Sequence, residues 1–380
     1  MNLLPFSRDL HFSRFIAGFQ RGEVMLTGAG LSLTWQWIKK SSLKNHSFKV
    51  PIVAGIVFLL LLSPVFLERA HYYQQNTQWK IETQNAFVAK TQEISDIKNT
   101  LENLPPGRVY AGLYTDFGND PRYKIGLVPL YAIMPQLGID SFGYAYSAFP
   151  LSTDIRLNFN NTKQEQYNLF NIRYVLLHKT WTAPYYYAKI REFDNYVLYQ
   201  VPTTGYFDLV DAPAVFYGTS SEFYYPNSQW LFSTLPKLKE HPLIELGDMP
   251  ENTSGLPVFS FQQVDQTILA NLSRLQPAAG EIVQENVSTN EYRARFVANR
   301  ESYLMLKTNY HPGWQVTLDD KKVSTVMLAP GFIGIKVDPG THQAIFSYHP
   351  LSYRFPLFVV GILVLLIVGF YQWKMSGKKE

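Results

Sequence analysis

Tyr114, Asp116, Asp120, Arg122 and Tyr123, followed by Tyr144 and Tyr146, lie in segments punctuated by Gly and Pro, the setting in which loops present side chains. Aromatic faces beside carboxylates and a guanidinium are what sugar recognition uses. The apolar face of a sugar stacks on a ring, and its hydroxyls take charge-assisted hydrogen bonds. Tyr114, Asp116, Arg122, Tyr144 and Tyr146 are therefore the candidate substrate-binding set. The competing reading places the same aromatics in the domain core and on an underside against lipid headgroups. Residues 108–230 hold 28 Phe, Tyr or Trp in 123 positions, enough to supply either. Asp116 and Asp120 can also be drawn as the paired carboxylates of a glycosidase, a mechanism that turns on the separation between them.

Other chemistry is excluded by type. The chain has no cysteine, which removes disulfides, thiolate zinc sites and a thiol nucleophile together. It contains no Gly-x-Ser-x-Gly elbow, His-Glu-x-x-His helix, Gly-x-x-x-x-Gly-Lys loop or Gly-x-Gly-x-x-Gly turn. His342 and His349 are seven apart on one strand region, which points them to opposite faces, and no third ligand stands near. No metal site is expected. Asn160, Asn252, Asn271 and Asn286 begin Asn-x-Ser/Thr triplets, which matter only in a host that glycosylates them.

Two uncharged apolar runs must position whatever site exists. Val50 to Leu67 is 18 residues long and Phe355 to Trp373 is 19. At about 1.5 Å per residue each reaches about 27 to 29 Å, enough to cross a hydrocarbon layer. Lys39, Lys40, Lys44 and Lys49 precede the first run, and Lys374, Lys378 and Lys379 follow the second. The positive-inside tendency puts both clusters in the cytoplasm and residues 68–354 on the other side of the membrane. Charged residues make up only 17% of the chain, and the net charge of +4 sits on the flanks, residues 50–373 carrying −3. Nucleic acid is therefore not an expected partner. Val24 to Ile38 is uncharged but short, with Arg14, Arg21 and Glu23 ahead of it. It reads as an interfacial helix or as a marginal span needing partner helices.

The expected fold is a membrane-anchored α+β protein: transmembrane helices flank an extracytoplasmic mixed α/β domain and a C-terminal antiparallel β-sandwich. Residues 1–49 form the N-terminal membrane-associated helix and Lys-rich loop, 50–67 the first span, and 68–107 a stalk helix. Residues 108–250 form the aromatic-rich domain, 251–354 the sandwich, 355–373 the closing span, and 374–380 a cytoplasmic tail. On the stalk, Ile94, Ile97, Leu101 and Leu104 recur at 3, 4 and 3, one helical stripe, and Pro105-Pro106-Gly107 stops it. Ile190–Phe193 and Tyr196–Val201 flank a turn at Asp194-Asn195. From Tyr292 onward apolar residues alternate with Arg293 and Arg295, and turns at Asp319-Asp320 and Pro339-Gly340 separate short strands. Gly313 and Gly340 read as turn glycines, Trp314 as a core anchor, and Arg173 as an ion-pair partner.

Three stretches carry a resemblance. Tyr310-His311-Pro312-Gly313-Trp314, Asp319-Asp320, Pro330-Gly331-Phe332, Pro339-Gly340-Thr341-His342 and Tyr348-His349-Pro350, followed directly by an apolar helix, resemble the closing module of YfhO-like bacterial membrane proteins. Tyr167 to Leu176, with Asn171-Ile172-Arg173-Tyr174-Val175-Leu176, is similar to a second segment of that family, and Pro106-Gly107-Arg108-Val109-Tyr110 to a third. Asp320 stands where the family's turn has Gly, which points to a different turn on the same fold.

The resemblance implies a polytopic glycosyltransferase of the GT-C architecture. Such enzymes take a sugar from a polyprenyl-phosphate carrier and add it to an envelope polymer or lipid outside the membrane. Their general base is a carboxylate in the first outer loop of a many-helix core. No motif here matches that loop, Asp9 included, so no catalytic residue is carried over and the catalytic set is unknown. The first expectation is the C-terminal outer and anchoring portion of such an enzyme, as a piece of a longer product or a short member with a separate core. No cofactor is expected in this chain; a divalent metal would belong to the missing catalytic core. The second is a non-catalytic glycan- or partner-binding ectodomain. Expected partners are the lipid bilayer, a multi-span membrane core, and an envelope glycan or lipid-linked sugar.

Overall fold

The structure, a computed structural model, describes residues 13–44, 49–143, 151–251, 255–273, 275–349 and 354–376. One helix runs Ser13–Lys44 and covers the segment read as interfacial or marginal. A second, Lys49–Glu102, joins the first apolar run to the stalk without a break, 54 residues or about 80 Å. Pro64 lies inside it and has no N–H to give the carbonyl of Leu60. Ser63 supplies the substitute, its hydroxyl donating to Leu60 O at 2.8 Å, so the helix continues. Within this helix the segment from Gly55 is long and apolar enough to cross a membrane, and none of its apolar window is buried in protein. The closing helix, Arg354–Ser376, contains the shorter apolar stretch Phe355–Tyr371, whose large side chains are also exposed.

The far half of the long helix is part of the domain rather than a free stalk. Ile97 and Leu101 are buried and Ile94 and Leu104 partly so, against the aromatic core. The stripe read from the sequence is thus a packing face. Glu93, also buried, accepts hydrogen bonds from the backbone N–H and the side-chain Nδ2 (2.8 Å) of Asn195 and from Tyr196 N (3.3 Å). Lower down, a small hairpin of Lys124–Ile125 and Val128–Pro129 presses Gly126 onto the helix. A Cβ there would lie 2.6 Å from Thr83 Cα.

Three larger sheets follow. In the first, Arg108–Tyr110 pairs in parallel with Ile172–His178, which pairs antiparallel with Tyr196–Gln200, and Ala188–Glu192 forms the edge. The hairpin turns at Asp194-Asn195, as its sequence predicts. The first strand ends at Tyr110, and Gly112 turns the chain at φ +84°. The second sheet has seven strands, in the order Val258–Ser260, Val215–Gly218, Leu243–Leu246, Val326–Leu328, Phe332–Val337, Ser302–Asn309 and Phe207–Val210. Its first three strands are mutually parallel and the rest antiparallel. The third sheet is antiparallel throughout: Gly280–Val287, Glu291–Ala298, Gly340–Tyr348, Trp314–Leu318 and Lys321–Val323.

The second sheet takes strands from both sides of residue 250, so the layers expected for 108–250 and 251–354 are not separate sheets. Residues 291–350 carry the expected alternation: Ala294, Phe296 and Ala298 are buried while Arg293 and Arg295 are exposed. These buried residues meet Phe207, Leu209, Leu304, Leu306, Ile333 and Ile335 of the second sheet in one apolar cluster. The opposite face of the second sheet closes on the aromatic core, which gathers residues from Ile97 to Phe332. In that face Lys307 is fully buried and pairs with Asp208 at 2.8 Å; Asp208 also holds the half-exposed Lys239 at 2.7 Å. Burial alone would raise the Asp208 carboxyl, but Lys307 and Lys239 beside it hold it below the usual range. Arg108 is buried where the two clusters meet, donating to Phe170 O at 2.7 Å, facing Asp140 at 3.4 Å and lying 5.2 Å over the Tyr206 ring.

Four local readings are corrected or refined. Gly340 has positive φ, whereas Gly313 does not; Gly313 is needed because a Cβ would sit 2.6 Å from His349 O. Asp319 and Asp320 both take positive φ, 48° and 64°, the two-residue hairpin geometry that usually selects Gly or Asn. His342 adjoins that turn, its Nδ1 at 2.7 Å from Asp319 Oδ2. Trp314 is only partly buried, at the margin of the second cluster, with Nε1 donating to Asn309 O at 3.2 Å. Arg173 donates to Thr203 Oγ1 at 3.2 Å and packs along Gly107, with no carboxylate within 4 Å among the described residues.

Candidate functional site

Asp116 and Asp120 each head a short 3₁₀ turn. Asp116 Oδ1 accepts from Gly118 N at 3.1 Å and from Leu113 N, while the Tyr110 hydroxyl donates to Oδ2. The turn is so tight that a Cβ on Gly112 would lie 2.4 Å from Gly118 N. Burial pushes the Asp116 carboxyl above its ordinary range, against the hydrogen bonds that favour its charged form. Asp120 accepts from Arg122 N at 2.9 Å and takes both Arg122 Nε (2.9 Å) and Nη2 (2.6 Å). Those bonds hold its carboxyl down to about 2. The same guanidinium donates to Thr180 Oγ1 at 2.7 Å and lies 5.5 Å over the Trp181 ring. Both carboxylates therefore hold their own turns.

Around Asp116 the surface opens into a depression of about 280 Å³ lined by Asn158, Asn160, Asn161, Phe159 and Phe232 among others. Phe159 is buried and forms its floor, ring-to-ring with Tyr110, Phe142 and Tyr167 at 5.0 to 5.1 Å. Phe232 also lines it and is 53% exposed. Asn158 Nδ2 donates to the hydroxyl of half-exposed Tyr224 at 2.9 Å. Asn160 Oδ1 closes a turn by accepting from Thr162 N (2.9 Å) and Thr162 Oγ1 (2.7 Å). Asn161 O accepts from the Tyr167 and Tyr186 hydroxyls at 2.8 and 3.0 Å. A carboxylate, three amides and an exposed aromatic side chain converge here, with no cation among the described lining residues. Amides both donate and accept, which is what a polyhydroxylated ring demands.

Of the residues singled out in the sequence, Asp116 lies in the depression. Tyr114 is 51% exposed two residues before it, and Arg122 is closed on Asp120. Tyr144 and Tyr146 lie outside the described residues. Tyr123 is buried and accepts from His178 N at 2.7 Å through its hydroxyl. Tyr110, Tyr167, Tyr174 and Tyr196 are also buried, so the core reading holds for these tyrosines. The asparagines and Phe232 were missed. Their one sequence signal was the Asn158-Phe159-Asn160-Asn161-Thr162 tract, noted only for its triplet, while Phe232 arrives from a helix end some 70 positions later. A larger shallow groove on the long helix, about 570 Å³, is lined by six residues from Tyr73 to Glu82 alone. It converges no chemistry.

No curated protein and no solved structure matches the chain significantly. Residues 229–364 match the family model described as bacterial membrane protein YfhO. That match takes in the second sheet from Leu243, the whole third sheet and the start of the closing apolar helix, so over this stretch the chain is similar to bacterial membrane proteins of the YfhO family.

Proposed function

We propose that this chain is the outer and membrane-anchoring portion of a polyprenyl-phosphate-sugar-dependent glycosyltransferase system, and that its own task is to hold a glycan. In this reading residues 68–354 face the cell exterior. The depression beside Asp116 receives the sugar chain of an envelope polymer or lipid, and bond-making occurs in a many-helix core on other membrane segments. The observation that carries it is the convergence of Asp116, Asn158, Asn160 and Asn161 with the exposed Phe232 ring. The YfhO-like match supports the glycosyltransferase setting, and the unburied apolar helices support the membrane setting. The engagement of Asp116 and Asp120 in their own turns favours binding over hydrolysis.

The test is binding of isolated bacterial envelope glycan to the full chain in nanodiscs. Phe232→Ala should weaken it about tenfold, since losing one stacking face costs about 1.4 kcal/mol. Phe232 is exposed, so the thermal midpoint should hold. Undiminished binding would remove the depression from the function. Co-purification of a multi-span membrane protein is the accompanying expectation; binding without any such partner would leave a stand-alone glycan-binding ectodomain.

A further inference from the structure

Resting on that reading, we infer that the site takes an extended, uncharged oligosaccharide, with one or two sugars in the depression and the following sugars along a Tyr185–Trp181 ledge. The depression, about 280 Å³, lies just below the ~300–1,000 Å³ typical of small-molecule pockets. It has room for little more than a sugar ring or two. Its edge continues into the loop Trp181-Thr182-Ala183-Pro184-Tyr185-Tyr186-Tyr187. The link is direct, because Asn161 lines the depression and its carbonyl accepts from the Tyr186 hydroxyl at 3.0 Å. The Tyr186 ring then meets Tyr185 edge-on at 5.3 Å. On the other flank Trp181 packs 5.4 Å from Phe117, the residue after Asp116.

Tyr185 is 95% exposed and Trp181 37% exposed. Across residues 108–230 the cores bury most of the described aromatics, including Tyr187's neighbour Tyr167. A nearly fully exposed tyrosine supported edge-on by a second ring is a stacking platform held open, with little side-chain entropy to lose on binding. Charge sets the other half of the specificity. Among the described residues the depression is lined by the Asp116 carboxylate and no cation. Arg122, whose guanidinium lies 5.5 Å over the Trp181 ring, is paired with Asp120 at 2.6 Å. A phosphate or uronate group in the depression would face the Asp116 carboxylate with no described lining cation to offset it.

The experiment uses the full chain in phosphatidylcholine nanodiscs, titrated calorimetrically with cello-, malto- and chito-oligosaccharides of two and six units, and with hexagalacturonate as the anionic control. In at least one neutral series the hexamer should bind about tenfold tighter than the dimer. Tyr185→Ala should lower hexamer affinity about three- to tenfold while leaving the dimer unchanged, and Tyr185→Phe should restore it, because the ring face and not the hydroxyl does the stacking. Hexagalacturonate should bind at least about tenfold more weakly than the neutral hexamer. Equal binding of dimer and hexamer, or a hexamer indifferent to Tyr185→Ala, overturns the ledge and leaves the depression standing. Hexagalacturonate binding as tightly as the neutral chain overturns the charge assignment. If Phe232→Ala also leaves every affinity unchanged, the depression falls with the ledge.

Discussion

Single side chains decide where this protein tolerates charge. His241 is buried beside Trp230, ring centroids 4.9 Å apart, with Nδ1 at 2.6 Å from Ala329 O. Burial pushes its imidazole down to about 4 from an ordinary 6.5, with Asp208, Lys307 and Lys239 nearby. A folded value below the unfolded one means that the unfolded chain binds the extra proton first. The neutral-His contribution is therefore complete above about pH 6.5 and lost as pH falls toward 4, an effect of about 3 kcal/mol. His241→Asn keeps a donor for Ala329 O and should flatten the fall in thermal midpoint between pH 6.5 and 4.5. An unchanged slope in melts of the variant would assign the acid sensitivity elsewhere. Asp208 acts at still lower pH by the same sign, since its carboxyl is held below the ordinary range and its support is lost only on protonation there. Lys307 could be suspected from sequence, a charge inside Tyr303-Leu304-Met305-Leu306, but its partner lies about a hundred positions away.

Elements here have two lives, and the long helix shows both. Its first part exposes apolar side chains from Ile52 to Leu67 on all sides, and its last part lays one stripe on the aromatic core. Ile97→Ala should cost about 2–4 kcal/mol, because a fully packed side chain leaves a cavity. Val88→Ala, at a position 76% exposed, should stay within about 0.5 kcal/mol. Comparison of the two thermal midpoints checks the assignment, and equal losses would mean that the stripe packs elsewhere. The hairpin at Asp319-Asp320 shows the same division of labour. The sequence places the turn, and its departure from Gly is accommodated by two acidic residues in the left-handed region. Asp319 is steadied by His342 and by accepting from Gln343 N at 2.9 Å.

At the scale of the molecule, two apolar helices leave their surface unburied while everything between them folds around shared cores. A lipid setting follows if those surfaces are to be covered, and the proposed orientation can be tested in a chain without cysteine. Thr182→Cys, on the exposed aromatic loop, should react with an impermeant maleimide on intact cells, and Ser376→Cys only after permeabilisation. The reverse pattern would invert the topology. The apolar helices, the stop of the long one just before Pro105-Pro106, the period-two strands after Tyr292 and the turn positions were legible in the chain alone. Each of these follows from short-range sterics and from the repeat that puts apolar residues on one face. Asp116 was legible as a candidate because its loop is local. Only the tertiary structure decided that Phe207–Val210 borders Ser302–Asn309 in one sheet, that Lys307 meets Asp208, and that Phe232 closes a depression with Asn158 and Asp116. Those pairings join residues some forty to over a hundred positions apart. They are selected by the fit of whole faces, for which a local stretch of chain carries no signature.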